Sequence, residues 1–157
     1  MQPDVDEKVS LREITAATVR SIVELAVADD QRHFVADNGT SLAQALFTPI
    51  AWYRAIYLDD EPVGFVMLED ESLLSPPPAQ PTIAVWRLMI DARFQKRGIG
   101  RAAMLLLIAH ARGKGFRTLS LSYVPGPACP EPFYLGLGFR HTGRIEDDEV
   151  ILERDLA

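Results

Sequence analysis

Apolar residues recur along this chain in two rhythms, every second position in some stretches and every third or fourth in others, and each rhythm predicts an element. Val9 to Ile14 reads as a short strand. Thr15 or Thr18 can cap a helix through about Val27, with Val19, Ile22, Val23, Leu25 and Ala26 on one face, and Ser41 to Leu46 is a second helical stretch. Trp52 to Leu58 and Pro62 to Leu68 flank the acidic turn Asp59-Asp60-Glu61 and read as a hairpin. Pro76, Pro77 and Pro78 make Leu74 to Pro81 a surface loop. Thr82 to Ile90 is a strand, and Gly98 to about Arg112 is a helix stopped by Gly113 and Gly115. Arg117 to Val124 alternates as a strand, and a turn studded with Pro125, Pro127, Pro130 and Pro132 follows. A short helix over Phe133 to Leu137 ends at Gly138, with Phe133 expected in the core. Phe139 to Ile145 and Val150 to Asp155 form a last hairpin across Glu146 to Glu149. This order predicts a layered α+β or α/β domain over residues 9–157, preceded by a polar tail at 1–8. Its sheet is mixed, and its central strand-helix-strand unit is parallel.

Composition narrows the class. With 157 residues, 48% hydrophobic and 24% charged, the chain suits one globular domain. The longest apolar run, Ala102 to Ala109, is far below the ~20 residues of a bilayer span, and Met1 to Glu7 is acidic where a secretory signal would be basic. The expectation is a soluble, cytoplasmic protein without a membrane partner. A single cysteine, Cys129, can form neither an internal disulfide nor a cysteine metal cluster, and His33, His110 and His141 lack ligand spacing, so no metal is expected.

The net charge of −6 is unevenly spread: residues 86–117 carry eight basic side chains against one acid, whereas both flanks are acidic. A cationic island in an anionic shell repels nucleic acid but suits a compact polyphosphate. The island centres on Asp91-Ala92-Arg93-Phe94-Gln95-Lys96-Arg97-Gly98-Ile99-Gly100-Arg101-Ala102, a loop running into a helix. Glycines there let backbone approach a ligand, and the unbonded N–H groups of the first turn form an anion site, with Gln95, Lys96, Arg97 and Arg101 as further donors. A dinucleotide fingerprint fits poorly, because a seven-residue loop precedes Gly98 and no acid occurs between Gly100 and Glu131. A phosphate-binding loop of the nucleotide-hydrolase type would need Lys-Ser or Lys-Thr where Arg101-Ala102 stands.

Gln95, Gly98 and Gly100, after an apolar strand, resemble the acetyl-CoA signature of the GNAT superfamily of N-acetyltransferases. Tyr134-Leu135-Gly136-Leu137-Gly138-Phe139 resembles that superfamily's second signature, a tyrosine four residues before Gly-Phe. The resemblance spans about Val9 to Leu156. It implies a twisted, mixed and mostly antiparallel sheet of six to seven strands with about four helices, splayed between the strands at 82–90 and 117–124. It also implies acetyl-CoA as co-substrate. Leu88, Met89 and Ile90 would bind the pantetheine, residues 95–102 (Gln95, Lys96, Arg97, Gly98, Ile99, Gly100, Arg101, Ala102) the pyrophosphate, and Tyr134 would protonate the departing thiolate. Pro127 and Pro130 stand where many members have Asn and Ala, which removes one contact to the pantetheine arm.

Acetyl transfer to an amine needs the neutral nucleophile, and with an alkylammonium pKa near 10.4 its deprotonation at pH 7 costs about 4–5 kcal/mol. Thr82 to Ile90 holds no carboxylate, which leaves Glu24, Asp29, Asp30, Glu69, Asp70 and Glu71 as candidate bases through water. The runs Val27 to Asn38, Ser41 to Ala45, Tyr57 to Phe65 and Arg87 to Asp91 look like the bacterial spermine/spermidine (diamine) N-acetyltransferases. That resemblance implies a polyamine acceptor, with Glu24, Asp29, Asp30 and Gln31 as substrate-binding candidates. Another amine (amino acid, aminoglycoside or peptide) and a non-catalytic acyl-CoA-binding module are the alternatives. The resemblance admits a homodimer, although no interface is legible.

Overall fold

The structure, a computed structural model, describes residues 3–157. Its seven strands are β1 (Val9–Arg12), β2 (Ala51–Leu58), β3 (Glu61–Asp70), β4 (Ile83–Ile90), β5 (Thr118–Tyr123), β6 (Arg140–Glu146) and β7 (Glu149–Asp155). They form one sheet in the order β1-β2-β3-β4-β5-β7-β6, antiparallel throughout except for β4 beside β5. That parallel pair meets only at Ala84 with Ser120 and Val85 with Leu121, so the ends of both strands diverge and the expected splay is present. The two-residue turns at Asp59-Asp60 and Asp147-Asp148 close the hairpins; Asp59, Asp147 and Asp148 take the left-handed conformation that short acidic side chains tolerate.

Five α-helices cover the sheet: α1 (Pro3–Lys8), α2 (Val19–Val23), α3 (Asn38–Ala45), α4 (Ile99–Gly113) and α5 (Glu131–Gly136). Helix α4 buries Ile99, Ala103, Met104, Leu107 and Ala111 against Ile83, Val85 and Leu119 in the larger core cluster. On the other face, Ile22 and Leu25 pack with Phe65, Met67 and Met89. Among the described residues, no helix is long and apolar enough to cross a membrane.

Three elements differ from the sequence expectation. The polar tail contains α1, whose Val5 packs against the core. Helix α2 stops at Val23 rather than near Val27 because the Ala26 N–H is taken by the Asp91 carboxylate (3.0 Å) and the Ala26 carbonyl by Ala92 N–H (2.9 Å), which draws the chain off the helix axis. Helix α3 begins at Asn38, before Ser41, because Asp37 caps it, accepting from Thr40 N–H at 2.7 Å and Thr40 Oγ1 at 2.9 Å.

Strand β4 is irregular where it matters for the cleft. Met67 pairs with Arg87 and Leu68 with Val85, so Trp86 is an extra, bulged residue. Such a bulge re-aims the side chains beyond it.

Candidate active site

The divergence of β4 and β5 opens a cavity of about 690 Å³ that passes from one face of the sheet to the other. One end is built by the start of α4. Lys96 (φ 63°) and Gly98 (φ 83°) adopt left-handed backbone, turning the loop sharply into the helix. The first helical bond runs from Ala102 N–H to the Gly98 carbonyl, leaving the amides of Ile99, Gly100 and Arg101 as free donors at the mouth. A Cβ on Gly100 would lie at ordinary contact distance, 3.6 Å, from both Ile90 and Phe133. Free amides, the positive end of a 15-residue helix, and Lys96 and Arg101 beside it form a cradle suited to a diphosphate.

Buried Asp91 braces this loop. It accepts from Ala26 N–H (3.0 Å), Arg93 N–H (3.0 Å) and Arg93 Nε (2.8 Å). Burial pushes its carboxyl upward, but the hydrogen bonds from Arg93 and Ala26 outweigh that and hold it below the ordinary carboxylate range. Gln95 is also a brace: its Nε2 donates to the Ile90 carbonyl (2.9 Å) and to Gln31 Oε1 (2.7 Å). Its amide is thus occupied by protein, which corrects the expectation of a direct donor to the pyrophosphate. Arg97 stacks on Phe94 and Ala102 packs in the core; neither lines the cavity.

Tyr134 sits opposite this cradle. The Pro130 carbonyl accepts its N–H at 3.2 Å in the first turn of α5, so one of the two replacing prolines anchors the tyrosine. The ring packs edge-on against Phe133 and Phe139 and is buried, yet it lines the cavity. Burial, with no hydrogen-bond partner among the described residues, pushes its phenol up to about 12. Tyr123 also lines the cavity, but its hydroxyl is committed to Glu131 at 2.8 Å. Phe133, a core residue by the sequence expectation, is instead more than a third exposed and forms the cavity lip, because α5 turns Tyr134 inward.

The rest of the cavity is assembled from distant segments. Leu88, Met89 and Ile90 line its floor, and Gln31 forms part of its wall. Glu24, Asp29 and Asp30 do not line it: they are exposed, and Asp29 pairs with Arg32 at 3.1 Å. Glu69, Asp70 and Glu71 lie outside as well, Asp70 paired with Lys114 and Glu71 bound to Thr82. Among the described residues no carboxylate lines the cavity. Sequence reading missed Phe34, Val35, Trp86, Arg87, Ser122 and Cys129 in its wall; no local motif marks them, since only the fold brings them together.

The model of the acetyltransferase (GNAT) family matches residues 21–139, and the chain belongs to that family. No curated protein sequence matches the chain. Among solved structures it is similar to the PaiA N-acetyltransferase of Thermoplasma acidophilum in complex with coenzyme A, at 14% identity and TM-score 0.68 over 94% of this chain and 98% of that one. It is similar to an acetyltransferase from Thermus thermophilus, at 20% identity and TM-score 0.66 over 94% and 97%. A GNAT acetyltransferase from Elizabethkingia anophelis with acetyl-CoA bound matches at 18% identity and TM-score 0.62 over 95% and 99%. The expected fold is therefore present, and the protein is an acetyltransferase whose co-substrate is acetyl-CoA.

Proposed function

We propose that the chain transfers the acetyl group of acetyl-CoA to the primary amine of a small molecule, directly and without a covalent enzyme intermediate. The observation that carries this reading is the placement of Tyr134, whose ring is buried and whose hydroxyl has no hydrogen-bond partner among the described residues, in the wall of the same cavity as the free amides of α4. Bound acetyl-CoA supplies an activated thioester carbonyl. The Ile99, Gly100 and Arg101 amides, with Lys96 and Arg101, hold its diphosphate, and the divergent edge of β4 at Leu88 to Ile90 directs the pantetheine through the sheet. As the amine nitrogen bonds to the carbonyl carbon and the C–S bond breaks, Tyr134 Oη donates its proton to sulfur. The proton that the amine nitrogen sheds passes through water to the Tyr134 phenolate and restores the phenol. A phenol near 12 stays protonated across the neutral range and is ready to donate.

With no carboxylate in the lining, water exclusion by Phe34, Val35 and Trp86 favours the neutral amine in place of a fixed base. A polyamine acceptor, the finer reading suggested by the sequence, draws support from the acidic exterior at Glu24, Asp29 and Asp30, which would attract a polycation, and from Gln31 inside the wall.

The test is Tyr134→Phe. It should lower kcat by about 10²-fold or more while leaving acetyl-CoA affinity by calorimetry unchanged. An unchanged rate, or a wild-type chain that binds acetyl-CoA and acetylates no amine, would return the domain to a binding role.

A further inference from the structure

Arg87 is the feature of the cavity that acetyl transfer alone does not explain. It projects from β4 beyond the Trp86 bulge, on the face that carries α2 and α3, and lines the end of the cavity away from the diphosphate cradle. It is half-buried and forms no ion pair among the described residues; Glu149 and Glu69 act on it only at longer range. Its Nη2 donates to Gln44 Oε1 at 2.9 Å, its Nη1 to the Trp86 carbonyl at 3.2 Å, and its plane lies 5.0 Å from the Trp86 ring. Its Nε is fully buried and has no partner. Desolvation of the charged form lowers its pKa. A half-buried guanidinium in the cavity wall without a contact ion pair calls for an oxyanion, which the hydrogens left over on Nη1 and Nη2 would bind. Ser122 lines the same space, its Oγ donating to Glu149 Oε1 at 2.9 Å, and Phe34, Val35, Val27 and Trp86 give the surroundings an apolar character.

We infer that the amine acceptor also carries a carboxylate, which Arg87 binds, and that its body is apolar, as in a hydrophobic amino acid. This rests on the acetyltransferase reading above and, within it, takes the place of the polyamine acceptor. A polycation would meet Arg87 in the wall itself, whereas Glu149 and Glu69 act there only from outside the lining. An amino acid brings its own counter-charge, and pairing it at Arg87 turns the amine back toward Tyr134 and the thioester.

The experiment measures steady-state acetyl transfer by the full chain to leucine and phenylalanine, to their carboxamides, and to spermidine, with wild type, Arg87→Gln and Arg87→Lys. Wild type should prefer each acid to its amide and to spermidine. Arg87→Gln should lower kcat/KM for the acids by about a hundredfold, through KM, and leave the amides nearly unchanged; Arg87→Lys should restore part of the loss. Amides or spermidine used as well as the acids, or an equal loss on acids and amides in Arg87→Gln, would overturn the inference and leave the acetyltransferase reading standing. Should Arg87→Gln fail to fold, the wild-type comparison of acid with amide decides. Turnover of no amine at all would sink both.

Discussion

The two ends of the cavity are built by opposite means. The end proposed to hold the coenzyme comes from one continuous stretch, 95–101, and its donors are backbone amides aimed by the left-handed turns at Lys96 and Gly98. The end proposed to take the acceptor comes from side chains on segments far apart in the chain, Phe34 after α2, Arg87 on β4, held by Gln44 of α3, and Ser122 on β5. A backbone site depends on conformation and tolerates change in most side chains. A side-chain site depends on identity, so it can be altered for another acceptor without disturbing the scaffold.

The largest effect should come from the wall that both ends share. A Cβ on Gly64 would fall onto the Met89 carbonyl oxygen, closer than side chains ever approach backbone, and lie 3.0 Å from Ile90 Cδ1 and 3.1 Å from Ile56 Cδ1. Because the obstacle is backbone, β3 and β4 must separate. Gly64→Ala should cost about 3 kcal/mol in denaturant unfolding and raise the KM for acetyl-CoA and acceptor together. Loss confined to one substrate would show that the two ends are mechanically separate.

The same contrast separates what is legible in the sequence from what is not. Gln95, Gly98 and Gly100, and Tyr134 before Gly138-Phe139, are short-range patterns, and they locate the α4 mouth and the phenol that the fold brings together. The strands are legible because alternation is local too; the expected bounds of β4 and β5 each lie within a residue of those observed. What escapes is non-local. Helix α2 is short because Asp91, 65 residues away, takes the Ala26 N–H. Gln95 reads as a ligand donor because Gln31, its partner, lies 64 residues earlier. Asp29 and Asp30 are acids in a segment that does reach the cavity, yet a 3-10 turn leaves Gln31 lining the wall and both aspartates out of it.

A smaller effect is expected at Asp91, which ties the coenzyme loop to the segment leading to Gln31. Asp91→Asn keeps the shape but gives up the charge that holds Arg93 and Ala26 N–H, at a cost of about 2 kcal/mol. The pH dependence has a defined sign. A carboxyl depressed on folding contributes stability that is fully present above its unfolded value of about 4 and disappears as pH falls through its folded value. Wild type should therefore lose stability on acidification below about pH 4, and Asp91→Asn should lose less of it. Asp70, held low by Lys114 and Ser72 against the upward push of its burial, adds a limb of the same sign that Asp91→Asn leaves in place. An acid limb as steep in the variant as in wild type would place the bracing role in shape alone.

The smallest effect separates backbone from side-chain recognition most directly. Arg101 is exposed at the α4 mouth and forms no ion pair among the described residues, so in the proposed complex its guanidinium would act on the diphosphate through solvent. Arg101→Gln should weaken acetyl-CoA binding only about two- to fivefold, less at high salt, and leave turnover of acetyl-pantetheine, which lacks the diphosphate, unchanged. If backbone amides hold the coenzyme, this loss must stay far below the hundredfold expected for Arg87→Gln on a carboxylate acceptor. A comparable loss at Arg101 would mean that the coenzyme, too, is held by side chains, and that the glycine turn only brings them into position.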